Sequence, residues 1–399
     1  MSKQKIQLSD HFDYSRLLRF VLPCVGTMLF TSIYGIVDGL CVSNFVGKTA
    51  FAAVNLIMPV PMLVGSVGFM LGTGGSAIVG ITLGEGDREK ADRYFSLFVW
   101  TGLLAGIVLS AVGVLIVRPA AAGVTNMVLD VVLVGMLHGG VEGAAIATFI
   151  SQAVGGVLPV FYFLNKCSTS SIHLGRAQWN GGVIRSACIN GSSELMTNLS
   201  MSLVNILYNY QLLRFAGENG VAAYGVIMYA AFLFVAVFVG YAVGSAPIVS
   251  YHYGARNHAE LNNLYSKSLR LIGVIAVVMT ALSMLVIPYV ARIFVGYDAE
   301  LLALTSHAFR VYALNFFLMG FNVYGSSFFT ALGDGVTSAL ISFLRTLLFQ
   351  LLALIFLPMV LGIEGVWLAV TAAEAGALCV TALMFITKDK VFHYRKASC

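Results

Sequence analysis

Long apolar stretches with almost no charged residues follow one another along the whole chain. The first, residues 20–46, contains a single charged residue, Asp38. About 20 apolar residues are enough for a helix to cross the hydrocarbon core of a bilayer. Over the whole chain 59% of residues are hydrophobic and only 10% are charged, against about a quarter charged in soluble domains. The pattern predicts an all-α integral membrane protein, because the strands of a membrane barrel alternate polar and apolar residues.

Ten of these stretches are long enough to cross the membrane as helices. An eleventh, residues 121–137, is shorter and carries Asp130. We therefore expect about eleven membrane helices. The ten clear stretches are residues 20–46, 52–83, 94–117, 141–164, 187–213, 221–250, 271–291, 304–330, 338–360 and 365–387.

Basic residues lie mainly in short loops between the apolar stretches. Short loops rich in Lys and Arg stay in the cytoplasm, so the pattern predicts cytoplasmic N- and C-termini and a multi-pass protein of the cell (inner) membrane. The net charge of +5 does not lie along one face, which argues against nucleic-acid binding. The loops that set this orientation include Lys3, Lys5, Arg16, Arg19, Arg88, Lys90, Arg93, Lys166, Arg176, Arg185, Arg256, Lys267, Arg270, Lys388 and Lys390.

Motifs of enzymes and metal sites do not occur in the sequence. The six cysteines show no paired spacing, so neither a zinc site nor a disulfide framework is indicated. No phosphate-binding loop, nucleophile with a base, or helix-borne metal motif lies among the apolar stretches. We expect no enzyme, no metal and no cofactor.

The two halves of the chain resemble each other at an offset of 170 residues. Residues 47–53 pair with residues 217–223, Gly74 pairs with Gly244, and Gly84 pairs with Gly254. Both copies end in a charged loop on the predicted cytoplasmic side. The copies are therefore expected to be parallel bundles, related by an axis along the membrane normal.

One transmembrane helix is expected to be missing from the first half. Residues 141–143 match residues 363–365 at an offset of 222 rather than 170, which leaves the first half 52 residues shorter. The gap falls between about Arg118 and Gly123. Losing one helix makes the number of membrane crossings in the first half odd, whereas the basic loops require the chain to return to the cytoplasm. Residues 121–137 are therefore expected to be re-entrant, interfacial or misplaced. The predicted divisions are an N-terminal bundle (1–165), a cytoplasmic linker (166–186), a six-helix C-terminal bundle (187–388) and a cytoplasmic tail (389–399).

Several motifs, in order along nearly the whole chain, carry a family resemblance. They are Pro23 with Ile36-Val-Asp-Gly39, residues 47–59, residues 125–130, residues 143–148, residues 222–225, residues 247–254 and residues 365–367. In these the chain resembles the multidrug and toxic compound extrusion (MATE) transporters. The resemblance implies twelve helices in two bundles, here without the fourth, and export of small organic cations in exchange for protons or sodium. We expect a monomer in the lipid bilayer.

Asp38 shares one helix face with other polar residues of the first apolar stretch. Thr27, Thr31, Tyr34 and Asp38 follow at spacings of four, three and four. A carboxylate in hydrocarbon is costly and usually faces a bundle interior or a water-filled cavity. We predict that Asp38 accepts a proton or cation and that its neutralisation lets the Pro23-containing helix bend. The alternative is a structural hydrogen-bonding acid.

A second acid is predicted in the first half. Asn126 and Asp130 share a face at i, i+4, and the resemblance implies that this helix adds an acid to the same cavity. If residues 121–137 do not insert normally, Asp130 is instead a solvated loop residue.

The second half opens with a polar stripe that is unsuited to a lipid-facing surface. Glu194 resembles the acid of the family's seventh helix, which contributes to cation coupling or substrate contact. The alternative is an interhelical hydrogen-bond network, because Asn and Ser commonly join membrane helices. The stripe consists of Asn190, Glu194, Asn198, Ser202, Asn205 and Asn209.

The later apolar stretches contain few ionisable residues. Asn315 and Asn322 stand where some family members carry an acid, so a complete sodium site is not expected there. Arg345 and Glu374 could form a buried pair, but snorkelling of Arg345 to the cytoplasmic surface is favoured.

Three functions fit the sequence. The leading hypothesis is an antiporter that exports cationic amphiphiles by alternating access. The second is an inactive derivative with an internal deletion. The third is a flippase for lipid-linked glycans, which the scarcity of intramembrane Arg and Lys disfavours.

Overall fold

The structure is a computed structural model that describes residues 6–41, 59–109, 160–161, 163–164, 172–175 and 177–395, with the side chains of 34–41 and 59–64 excepted. All regular secondary structure in these ranges is helical. The helices are α1 (Tyr14–Cys41), α2 (Pro59–Gly84), α3 (Arg88–Leu109), α4 (Gly181–Asn190), α5 (Ser192–Gly254), α6 (His258–Val295), α7 (Ala299–Ala313), α8 (Phe316–Ala331), α9 (Gly335–Leu361), α10 (Ile363–Thr387) and α11 (Asp389–Phe392).

The predicted membrane helices are confirmed where the structure describes them. Seven helices in these ranges are long and apolar enough to cross a membrane, or eight if the bent pair α7 and α8 is one span. The predicted stretch 121–137, and with it Asn126 and Asp130, lies outside the described residues, as does most of 141–164. The bundle, linker and tail boundaries stay predictions.

Helix α5 contains two of the predicted spans, joined by a sharp reversal at Gly217. The backbone there has φ 60° and ψ −150°, a conformation that glycine tolerates and other residues do not. Tyr208 and Tyr224 stack with their ring centroids 4.8 Å apart, although 16 residues of straight helix would separate them by about 24 Å. The two arms of α5 therefore run side by side as a helical hairpin.

The predicted span 304–330 is broken rather than straight. Its two parts, α7 and α8, meet at an angle of 47°. Asn315 lies buried at the break and donates from its side-chain amide to the carbonyl of Tyr312. Such a local side-chain bond competes with the helical backbone pattern, and the hydropathy of the stretch gave no sign of it.

Reciprocal contacts between α2 and α5 support the internal repeat. A Cβ added to Gly84 would lie 2.0 Å from the carbonyl oxygen of Tyr251, and one added to Gly254 would lie 2.0 Å from that of Ile81. Ile81 and Tyr251 are also 170 residues apart. The two contacts are thus one contact exchanged by a pseudo-two-fold axis, as the parallel repeat predicts.

The segment before α1 ties the first half of the chain to α6. The Glu260 carboxylate accepts from the Phe12 amide at 2.9 Å and contacts Nδ1 of His11 at 2.6 Å. Asn263 and Lys267 donate to the Phe12 carbonyl at 2.9 and 2.7 Å, and the Phe12 ring is fully buried. The N-terminal segment is therefore a docked connection between the two halves.

A second connection joins the start of α9 to the end of α10. Asp334 caps α9 through the Thr337 amide and pairs with Lys388 at 2.7 Å. Burial alone would raise the pKa of the Asp334 carboxyl, but hydrogen bonds from Lys388 and Thr337 and the Lys388 charge together lower that pKa below its usual value.

The close crossing of α2 and α5 leads to a stability prediction. Gly84→Ala should destabilise the protein by about 1–3 kcal/mol, because the new methyl group collides with backbone rather than with a movable side chain. Gly72→Ala is the matched control in the same helix, where a Cβ meets nothing within 4 Å. Thermal unfolding in detergent should show a lower midpoint for Gly84→Ala alone. Equal midpoints would mean that the crossing is loose.

Candidate functional site

The polar face of α1 points away from the helix that packs against it. Val21 and Val25 contact Gly244 and Gly240 of α5. The hydroxyls of Thr27 and Thr31 are exposed and donate to carbonyls four residues earlier, each at 2.9 Å. The backbone of α1 continues through Tyr34 and Asp38, so the helical period places Asp38 on the Thr27 face. The side chains of Tyr34 and Asp38 are not among those that the structure describes.

The polar stripe of α5 is bonded along its own helix. The Asn198 amide donates to the Glu194 carbonyl at 2.9 Å, and the Asn209 amide donates to the Asn205 carbonyl at 3.0 Å. Asn205 is exposed, whereas Glu194 and Asn198 are half-buried. An exposed polar stripe on a membrane helix belongs at a water-filled cavity rather than in lipid.

A buried ion pair joins α9 and α10. Nε of Arg345 lies 2.7 Å from Oε1 of Glu374, and the two side chains are only 13% and 1% exposed. Asn322 of α8 donates to the other carboxylate oxygen, Oε2, at 2.7 Å, and Thr381 donates to Oδ1 of Asn322 at 2.8 Å. One chain of polar contacts thus crosses three helices.

This network lies at a depth that corresponds to the membrane interior. At 1.5 Å per residue, Arg345 is about 15 Å along α9 from its first residue, and Glu374 is about 20 Å from the last residue of α10. The prediction that Arg345 snorkels to the surface is wrong. The antiparallel packing of α9 and α10 brings a carboxylate within reach, and pairing avoids the cost of an isolated charge in hydrocarbon.

The helix that carries Arg345 is locally widened. Residues Leu344–Leu348 form a π-helical segment that packs against α5 and α10. Such single π turns occur frequently at functional sites. The helix α5 that this segment contacts also carries Glu194, near its first residue.

Of the two acids Glu194 and Glu374, Glu194 has no bonded partner among the described residues. In the described part of the chain its carboxylate forms no hydrogen bond and no ion pair. Glu374 is neutralised by Arg345 and further satisfied by Asn322. When it is ionised, Glu194 carries a negative charge that no cation among the described residues pairs with, which makes it a candidate site for a cation.

The sequence patterns predict Glu194 as a site residue but do not predict the network around Glu374. The roles of Asn322 and Thr381 were missed. A signal was present in the spacing, because Thr381 follows Glu374 by seven positions and therefore shares its helix face. The helix that carries Asn322 could not be identified as the partner of Glu374 in the same way, because tertiary packing determines which helix faces meet.

The fold and site define a multi-pass membrane transporter. A family model described as MatE matches residues 23–126 and 195–355, about two thirds of the chain. The chain therefore belongs to the MatE family of membrane transporters, which are not enzymes.

Known relatives and solved structures agree with this family. "Multidrug export protein MepA" of Staphylococcus haemolyticus (strain JCSC1435) is 20% identical over 438 residues, covering 96% of this chain and 95% of the relative. The crystal structure of MATE in complex with MaL6 has a TM-score of 0.83 at 22% identity, covering 96% and 98% of the two chains. A MOP superfamily transporter from Pyrococcus furiosus, whose binding pocket is described as having reverse polarity, has a TM-score of 0.77 at 24% identity. The match covers 95% of this chain and 97% of that one.

The same comparisons support a shortened first half. The two segments matched by the family model begin at residues 23 and 195, close to the 170-residue offset of the repeat, and the second is about 57 residues longer. The alignment to the Staphylococcus relative spans 438 positions, more than the 399 residues of this chain. A deficit of this size is long enough for one membrane helix and its connection, and the missing helix stays a prediction.

The buried pair leads to a prediction about stability. Arg345→Met leaves Glu374 as a buried unpaired charge and should cost about 3–5 kcal/mol. The double variant Arg345→Met/Glu374→Gln should recover most of that loss, because no charge is left unpaired. Arg310→Met, at an exposed arginine, is the control. Melting curves of the purified proteins in detergent test the order, and a double variant as unstable as the single one would contradict it.

Proposed function

We propose that this protein exports cationic amphiphilic compounds across the cell membrane in exchange for protons or sodium. The observation that carries the proposal is the Glu194 carboxylate on the polar face of α5, which forms no hydrogen bond or ion pair within the described residues. An acid without a partner attracts an organic cation and can exchange it for a smaller cation. The names of the relatives, which describe multidrug export, support the same substrate class.

In this proposal the two halves contribute separate acids. Asp38 accepts the coupling ion in the first half, with Tyr34, Asn126 and Asp130 in the same cavity. Glu194 attracts the substrate cation in the second half, and Asn198 and Asn205 continue its polar face. The acids of the first half favour protons as the coupling ion, since a carboxylate in a membrane protonates readily.

Alternating access would proceed by separating the two halves at the cytoplasmic ends of α2 and α5. These ends touch backbone to backbone at Gly84 and Gly254, and the N-terminal segment is docked on α6. We propose that both contacts open when the cavity turns toward the cytoplasm. Rocking of one repeat against the other is the general motion of such transporters.

A comparison of two acid-to-amide variants tests the role of Asp38. Asp38→Asn should reduce proton-driven efflux of a fluorescent organic cation from proteoliposomes at least ten-fold, because the amide cannot take up the coupling proton. Glu218→Gln, at an exposed acid beside the α5 reversal, should leave efflux unchanged. Imposed proton and sodium gradients are applied separately to identify the coupling ion.

Efflux at the full rate in Asp38→Asn would overturn this mechanism. Wild-type efflux no greater than that of protein-free liposomes would instead favour the inactive derivative with an internal deletion. A lipid-linked glycan flippase is disfavoured, because in the described residues the intramembrane guanidinium of Arg345 is neutralised by Glu374 and offers no anion site.

A further inference from the structure

A narrow groove lies on the surface of the second bundle between α6, α8 and α10. It has a volume of about 250 Å³ and is lined mainly by apolar side chains, which include Leu269, Phe321, Leu378, Ala382 and Ile386. Ala382 and Ile386 are exposed. The groove therefore opens toward the lipid that surrounds the bundle rather than into the interior of the bundle.

The groove extends into the membrane from the predicted cytoplasmic end of α10. Ile386 lies one residue before the end of that helix at Thr387. Leu378 lies eight residues before Ile386, which is about 12 Å deeper at 1.5 Å per residue. Because the hydrocarbon core of a bilayer is about 30 Å thick, the groove spans most of one leaflet. Its shape and lining suit one acyl chain of a phospholipid.

The C-terminal tail folds back and places a cation at this groove. His393 has φ 53° and ψ 44°, a left-handed conformation that is uncommon outside glycine, and it turns the chain toward α10. Tyr394 is fully buried, and its hydroxyl donates to the Phe385 carbonyl at 2.8 Å. Asn262 of α6 donates to the Tyr394 carbonyl at 3.1 Å. The next residue, Arg395, is thereby held where its side chain lines the groove.

The guanidinium of Arg395 is exposed and has no acceptor in the part of the chain that the structure describes. Asp389 accepts from the backbone amide of Arg395 at 2.7 Å but forms no ion pair with its side chain. Tyr265, which also lines the groove, packs against Tyr394 with ring centroids 5.1 Å apart. Tyrosine is enriched where a membrane meets water. One end of the groove therefore carries an unpaired positive charge at interface depth.

We propose that this groove binds one anionic phospholipid, with an acyl chain along α10 and the headgroup phosphate on Arg395. Basic pockets between membrane helices on the cytoplasmic side bind acidic headgroups, and the apolar part of the groove supplies the room for the chain. The lipid would join the docked tail to α6 and α10. This inference is independent of the proposed export of organic cations, because no residue of the groove takes part in that proposal.

The first test measures the headgroup preference of the tightest lipid site by native mass spectrometry of the purified full-length protein. Phosphatidylglycerol is compared with phosphatidylcholine of the same acyl chains, whose choline compensates the phosphate charge. The preference for phosphatidylglycerol should fall about five-fold in Arg395→Gln, because one basic residue near the membrane surface contributes about that factor. Arg395→Lys, which keeps the charge, should retain the preference. Arg292→Gln, at an exposed arginine near the other end of α6, is the control and should retain it too.

The second test concerns the acyl chain. Ala382→Phe should weaken binding of both lipids, because the ring occupies the space of the chain. Leu383→Phe, at the next residue, which is exposed and does not line the groove, should bind like the wild type. Glycerophosphoglycerol, the same headgroup without acyl chains, should neither bind nor displace the lipid at equal concentration. A melting curve is recorded for each variant to confirm that it is folded.

Three results would overturn the inference. They are an unchanged headgroup preference in Arg395→Gln, lipid binding in Ala382→Phe as tight as in the wild type, and binding of glycerophosphoglycerol as tight as that of the lipid, which would indicate a site for a soluble phosphate. If Ala382→Phe does not fold, the comparison with glycerophosphoglycerol decides whether the chain is needed. Loss of the preference in Arg395→Lys as well would mean that the charge of Arg395 does not act on the headgroup.

Discussion

A charge inside a lipid bilayer must be paired, hydrogen-bonded or in contact with water, and this constraint determines the arrangement of the second bundle. Arg345 on α9 forms an ion pair with Glu374 on α10, and Asn322 on α8 donates a hydrogen bond to the other oxygen of that carboxylate. Three helices are held in one relative position because any other would leave a charge or an amide unsatisfied. With that pair neutral, Glu194 is the acid with no partner among the described residues, which makes it the candidate cation site of the proposed function.

The relation between the two halves rests on backbone contacts rather than on charges. Gly84 and Gly254 allow α2 and α5 to approach until backbone atoms touch, and the two contacts are equivalent under the repeat. Such a symmetric crossing joins the halves at one end of the molecule, where the N-terminal segment adds the Phe12 connection to Glu260. The first half retains α2, which makes this crossing with α5, and α1, which packs against α5 at Gly240 and Gly244.

Hydropathy predicted the helices well, because a membrane span must be long, apolar and internally hydrogen-bonded. It could not predict the break at Asn315, which depends on one side chain bonding its own backbone. It also misjudged Arg345, because snorkelling and pairing look identical along one helix and differ only when the neighbouring helix is known. Glu194 was identified from its polar stripe and from the family resemblance, whereas its lack of a partner among the described residues is seen only in the structure. The side chains of Tyr34 and Asp38, together with Asn126 and Asp130, lie outside the described residues, and their roles rest on the resemblance and on helix periodicity.

The central claim is that binding of an organic cation at Glu194 and binding of a small coupling ion at Asp38 oppose each other. The most direct measurement is the proton count when tetraphenylphosphonium is titrated into the purified protein in weakly buffered solution, with and without sodium. The account predicts that binding releases protons, or that sodium weakens it in a competitive manner. Binding that releases no protons and is insensitive to sodium would contradict the account.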